Sequence, residues 1–79
     1  MQNLKYLEEI KKNEKSFSIV LKPVAMKHDK NSQINIACTL LEFFNNGKYV
    51  DKRDITQDKD TFFVSVDKYP HLKKANYPA

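Results

Sequence analysis

An imidazole beside a carboxylate, His28-Asp29, is the one adjacent pair in this chain able to share a proton. Such a pair can activate a nucleophile, but no Ser or Cys stands at a motif spacing to be activated, so the pair does not by itself make a catalytic set. Cys38 is the chain's one cysteine; its neighbours are apolar, which marks it as a small core residue rather than a reactive thiol. His71 has no Cys, His or carboxylate at metal-ligand spacing and reads as a surface histidine. These residues together predict no enzyme, no metal and no cofactor. Binding, which needs only a surface, is the remaining chemistry.

Charge limits what that surface would bind. Residues 1–30 carry seven Lys against four acids, residues 31–60 four basic against five acidic side chains, and residues 61–79 three Lys against one Asp, so positive ends flank a nearly neutral middle. Arg53 is the one Arg among fourteen basic residues. Base-edge and bidentate phosphate recognition favour Arg, which argues against sequence-specific nucleic-acid readout. A sequence-tolerant single-strand binder, with Lys on phosphates and Phe63, Tyr49 or Tyr69 stacking on bases, is the alternative reading.

The elements that would carry this surface follow from periodicity. Leu4, Leu7 and Ile10 recur every third residue, Asn3 can cap and Lys11, Lys12 and Lys15 suit a C-terminal end, which predicts an N-terminal helix. Residues 16–22 alternate as a strand with Phe17, Ile19 and Leu21 inward; Pro23 either places it at a sheet edge or breaks it before 24–27 resumes, and 29–32 supplies a turn. Residues 33–44 fit two periods: a strand with Ile34, Ile36, Cys38 and Leu40 on one face, the preferred reading, or a helix capped by Ser32, with a polar stripe of Asn35, Thr39 and Glu42 and a stop at Gly47. Residues 48–55, with Asp51-Lys52-Arg53-Asp54 fully charged, suit an edge strand; 57–60 is a polar turn; 61–66 is a strand with Phe62, Val64 and Val66 inward.

The expected architecture is therefore α+β: an N-terminal helix on an antiparallel sheet of three or four strands, with 33–44 a strand or, alternatively, a second helix. Length admits one domain, taken as 1–68, followed by a basic tail, 69–79, that twice presents Tyr-Pro; Tyr69 and Leu72 are placed to fold back on the core. A lone cysteine, an acid-bearing N-terminus and apolar runs far short of a bilayer span predict a cytoplasmic protein off the membrane.

If both segments are strands, Phe43-Phe44 and Phe62-Phe63 put rings on both sheet faces, and one helix covers one face only. The chain then reads as a non-enzymatic interaction protein that binds, and by binding inhibits, another protein through an aromatic sheet face, a second copy of itself being one such partner. The residues expected at that interface are Phe43, Tyr49, Arg53, Phe63, Tyr69, Lys73 and Lys74. In size and single-domain build the chain resembles small accessory proteins of phages and mobile elements, among them inhibitors of host defence.

Overall fold

A computed structural model describes residues 2–74. Four strands, β1 (Leu7–Lys12), β2 (Ser16–Leu21), β3 (Thr56–Asp58) and β4 (Thr61–Ser65), form an antiparallel sheet in the order β1-β2-β4-β3. One long helix, α1 (Lys30–Phe44), packs on it, with single 3-10 turns at Gln2–Tyr6, Ala25–Lys27 and Lys52–Asp54. The α+β class and the single helix on an antiparallel sheet hold, but the helix is not the expected one.

The N-terminal segment is a 3-10 turn followed by a strand, because its spacing-three pattern has another cause. The register slips between Leu7↔Leu21 and Glu9↔Val20 at a bulge around Glu8. One extra residue in a strand puts side chains an odd number apart onto the same face. Leu7 and Ile10 thus both meet the core while lying in a strand.

Residues 33–44 are helical, the second of the two periods. The start is one turn earlier than expected: Asp29, not Ser32, is the cap, its Oδ1 accepting the Ser32 N–H at 2.7 Å. The end is a Schellman turn, with Asn46 at φ 59° and the Gly47 N–H bonded to the Glu42 carbonyl at 2.9 Å. Gln33, Ala37, Leu40, Leu41 and Phe44 fall on one helical stripe and are buried.

β2 carries Phe17, Ile19 and Leu21 inward as its alternation predicts, yet it is a central strand, paired with β1 and β4, because Pro23 lies past its end. Residues 25–27 turn as a 3-10 helix rather than extending β2. Residues 48–55 are not a strand, and the third strand is Thr56–Asp58, overlapping the expected turn at 57–60. The chain reverses at Lys59, which adopts φ 56°. In β4, Phe62 and Val64 are buried and Val66, just past its end, packs against the core.

The core fills the space between α1 and the inner sheet face, and it includes Tyr69 and Leu72. The Lys73 N–H bonds to the Phe44 carbonyl at 3.1 Å, and the Lys12 ammonium to the Leu72 carbonyl, also at 3.1 Å. The segment after β4 thereby ties the end of α1 to β1. The second Tyr-Pro pair, Tyr77-Pro78, lies outside the described residues.

Candidate binding surface

The structure keeps Cys38 apart from the His28-Asp29 pair. Asp29 is spent as the cap of α1, and its bond from the Ser32 N–H holds its carboxyl below the usual range. His28 sits edge-on to Tyr6, with ring centroids 6.0 Å apart. Cys38 lies nine positions beyond the cap on the same helix, about 13 Å along its axis. Its Sγ donates to the Val50 carbonyl at 3.1 Å, and burial, helped by the Glu42 carboxylate, raises its pKa. Among the described residues no three His, Cys, Asp or Glu side chains gather as a metal site, and no helix is long and apolar enough to cross a membrane.

The surface that does take shape lies along α1. The exposed stripe of this helix is Asn31, Asn35 and Thr39, with no charge between Lys30 and Glu42. Opposite it runs the segment 49–53, held at Val50 by two bonds: the Cys38 thiol on its carbonyl and the Glu42 carboxylate on its N–H, at 3.0 Å. With Val50 buried, its neighbours Tyr49 and Asp51 project away from the core. Asn45 sets the entry to this segment, its Nδ2 donating to the carbonyls of Lys48 and Tyr49 at 3.2 and 3.4 Å. The result is a cleft of ≈ 420 Å³ between Asn35, Cys38, Thr39 and Glu42 on one side and residues 49–52 on the other. It adjoins a second cleft of ≈ 460 Å³ that continues past Ile34 and Asn31 to Arg53, sharing Asn35 and Lys52 with the first.

Tyr49 stands on the rim with 74% of its surface exposed. Arg53 is 89% exposed yet oriented, its Nε and Nη2 both donating to Asp51, the shortest bond being 2.8 Å. That fork holds the Asp51 carboxyl down at a pKa of about 2.

Tyr69 belongs behind this wall rather than on it. It is 9% exposed; its hydroxyl accepts the Asp51 N–H at 2.9 Å and donates to Asp54. Lys68 closes on the same carboxylate at 2.8 Å. The Lys68 bond, with that of Tyr69, lowers the Asp54 pKa, whereas burial and the bond to Asp54 raise that of Tyr69. Tyr69→Phe removes both bonds of the hydroxyl and leaves the Asp51 N–H without a protein acceptor. We expect it to cost about 1–3 kcal/mol in urea denaturation and to speed amide exchange at Asp51; unchanged values of both would show that Tyr69 does not brace the wall.

The other expected interface residues are dispersed. Phe43 is on α1, half-buried and edge-on to Phe44 at 5.3 Å, not on a strand. Among the described residues Phe63 is the aromatic that the strands turn to the outer sheet face, in the row Lys11–Ser18–Phe63–Thr56 set by the register, and is itself half-buried. Lys73 and Lys74 are exposed beyond the helix end. The structure brings Tyr49 and Arg53 together and adds the α1 stripe, which sequence reasoning missed. Its signal was present in the uncharged run from Asn31 to Leu41 of a chain that is 30% charged. No family model, curated protein or solved structure matches this chain.

Proposed function

We propose that this protein is a non-enzymatic binding module that receives a segment of another protein in the cleft between α1 and residues 49–53. The observation that carries this reading is the uncharged stripe Asn31-Asn35-Thr39 facing a rim of Tyr49 and Arg53. Protein interfaces are depleted of charge at their centres, and Tyr and Arg carry a disproportionate share of their energy. The charges lining the cleft sum to zero, Glu42 and Asp51 against Lys52 and Arg53, so an uncharged, hydrogen-bonding segment fits better than a strongly acidic or basic one.

The test compares capture by three forms of the immobilised chain: wild type, Tyr49→Asp and Phe63→Ser. The expected result is one protein retained by wild type and Phe63→Ser and lost with Tyr49→Asp, whose thermal midpoint stays near wild type because the ring is exposed. Loss with Phe63→Ser alone would move the site to the sheet face. Capture unaffected by either variant would overturn the reading.

A second reading, single-strand nucleic-acid binding, draws on the outer sheet row in which Lys11, two hydroxyls and the Phe63 ring lie side by side. One ring can stack one base, whereas single-strand binders stack several in succession, so it ranks below the first. Binding of a mixed oligonucleotide that falls steeply with salt and disappears with Phe63→Ser would promote it.

A further inference from the structure

β1 lies at the margin of the sheet, and among the described residues no strand pairs with its outer edge. The hairpin to β2 decides which backbone groups face that edge. The Asn13 N–H donates to the Ser16 carbonyl at 3.0 Å, and the ladder runs back through Lys12↔Phe17, Lys11↔Ser18 and Ile10↔Ile19. Antiparallel partners alternate between hydrogen-bonded and non-hydrogen-bonded pairs. Lys11 therefore turns its N–H and C=O toward β2, while Ile10 and Lys12 turn theirs outward.

The side chains on this edge are antisymmetric in charge about Ile10: Glu8-Glu9-Ile10-Lys11-Lys12. Laid antiparallel on a second copy with Ile10 opposite Ile10, Glu9 falls opposite Lys11 and Glu8 opposite Lys12. We propose that β1 pairs with β1 of a second copy of this chain in that register, joining two four-stranded sheets into one of eight strands about a twofold axis through Ile10.

Backbone and charge select this register independently. A slip of one residue sets outward-facing groups against inward-facing ones and makes no ladder. A slip of two puts Glu9 opposite Glu9 or Lys11 opposite Lys11 at the axis, and parallel in-register pairing stacks like charges along the whole strand; like charges directly opposite are destabilising. In the chosen register Ile10 meets Ile10 as a hydrogen-bonded pair and Glu9 and Lys11 meet as the closer non-hydrogen-bonded pairs, and the regular ladder ends at the bulge around Glu8. Glu9 and Lys11 are exposed and already 3.8 Å apart within one copy, so the dimer gathers four alternating charges on its outer face. Beneath them, Ile10 and Leu7, with Lys74 on the far side, border a shallow cleft of ≈ 350 Å³ along the edge, which the second copy's Ile10 would cover. Charge on an edge strand usually guards against pairing; this pattern guards against the neighbouring antiparallel registers and against in-register parallel pairing. The inference is independent of the cleft along α1.

Sedimentation equilibrium of the full chain, across a wide concentration range at low ionic strength, tests it. The expected result is a monomer–dimer equilibrium that weakens with added salt. Glu9→Lys alone and Lys11→Glu alone should each raise the dissociation constant about tenfold or more, since each turns two attractive cross-strand pairs into repulsive ones. An equimolar mixture of the two variants restores opposite charges at both pairs and should recover dimer, while far-ultraviolet circular dichroism shows both variants folded. A wild-type chain that remains monomeric throughout, a dimer indifferent to both single reversals, or a mixture that fails to recover it would each overturn the proposal.

Discussion

Replacing Phe44 by Ala is expected to cost about 3–5 kcal/mol, the range for removing a fully buried aromatic ring. The ring is wholly inaccessible, stacks obliquely on Phe17 of β2 at 5.8 Å, and takes the edge of Phe43 at 5.3 Å. A chain of 79 residues has a total stability of about 4–12 kcal/mol, so the loss removes a large part of it. The thermal midpoint should fall by more than about 15 °C. Phe43→Ala, at a half-buried position on the flank of the same helix, should cost less than half as much. Equal losses at the two positions would contradict the helical phase that turns Phe44 inward and Phe43 aside.

Leu72→Asp should leave no cooperative unfolding transition at neutral pH. Leu72 is fully buried although it follows the last strand by seven residues. Its neighbours fasten the segment at both sides: Lys73 to the Phe44 carbonyl, and Lys12 to Leu72's own. A carboxylate placed there loses the apolar contacts of leucine and gives up water on entering the core, a combination that costs several kcal/mol. Leu72→Ala, which only opens a cavity, should cost about 2–5 kcal/mol, and Lys74→Ala, on the surface, no more than about 0.5 kcal/mol. A Leu72→Asp protein that melts like wild type would mean that residues 69–79 are an appendage to a domain complete at 68, as their composition suggests.

Where burial alternates simply, the sequence was readable: Phe17, Ile19 and Leu21 in β2, and Phe62 and Val64 in β4, turn inward as their spacing says. The N-terminal segment misleads because a bulge imitates a helical period, and a bulge is a property of the pairing with β2 rather than of Leu7, Glu8 and Glu9 themselves. Residues 33–44 satisfy both periods because apolar residues occupy nearly every inward position of either; Asp29 and the Asn46-Gly47 pair, which decide between them, lie outside the ambiguous run. Tyr49 and Arg53 were legible as residue types suited to an interface. That they flank adjoining clefts meeting at Asn35 depends on two bonds to Val50, whose partners Cys38 and Glu42 are 12 and 8 residues away. Tyr69, expected both to fold back on the core and to serve an interface, does the first, and its hydroxyl is engaged inside, between Asp51 and Asp54.

Cys38 gives the molecule a reporter of its own. It is the chain's sole sulfhydryl, nearly buried, with Sγ turned to the Val50 carbonyl and a pKa raised by that burial, so the reactive thiolate is scarce while the wall is seated. An alkylating reagent gains access when residues 49–51 lift from α1. Its rate under native conditions therefore counts how often the cleft opens, and an occupant of the cleft, even one whose identity is unknown, registers as protection of a single sulfur atom.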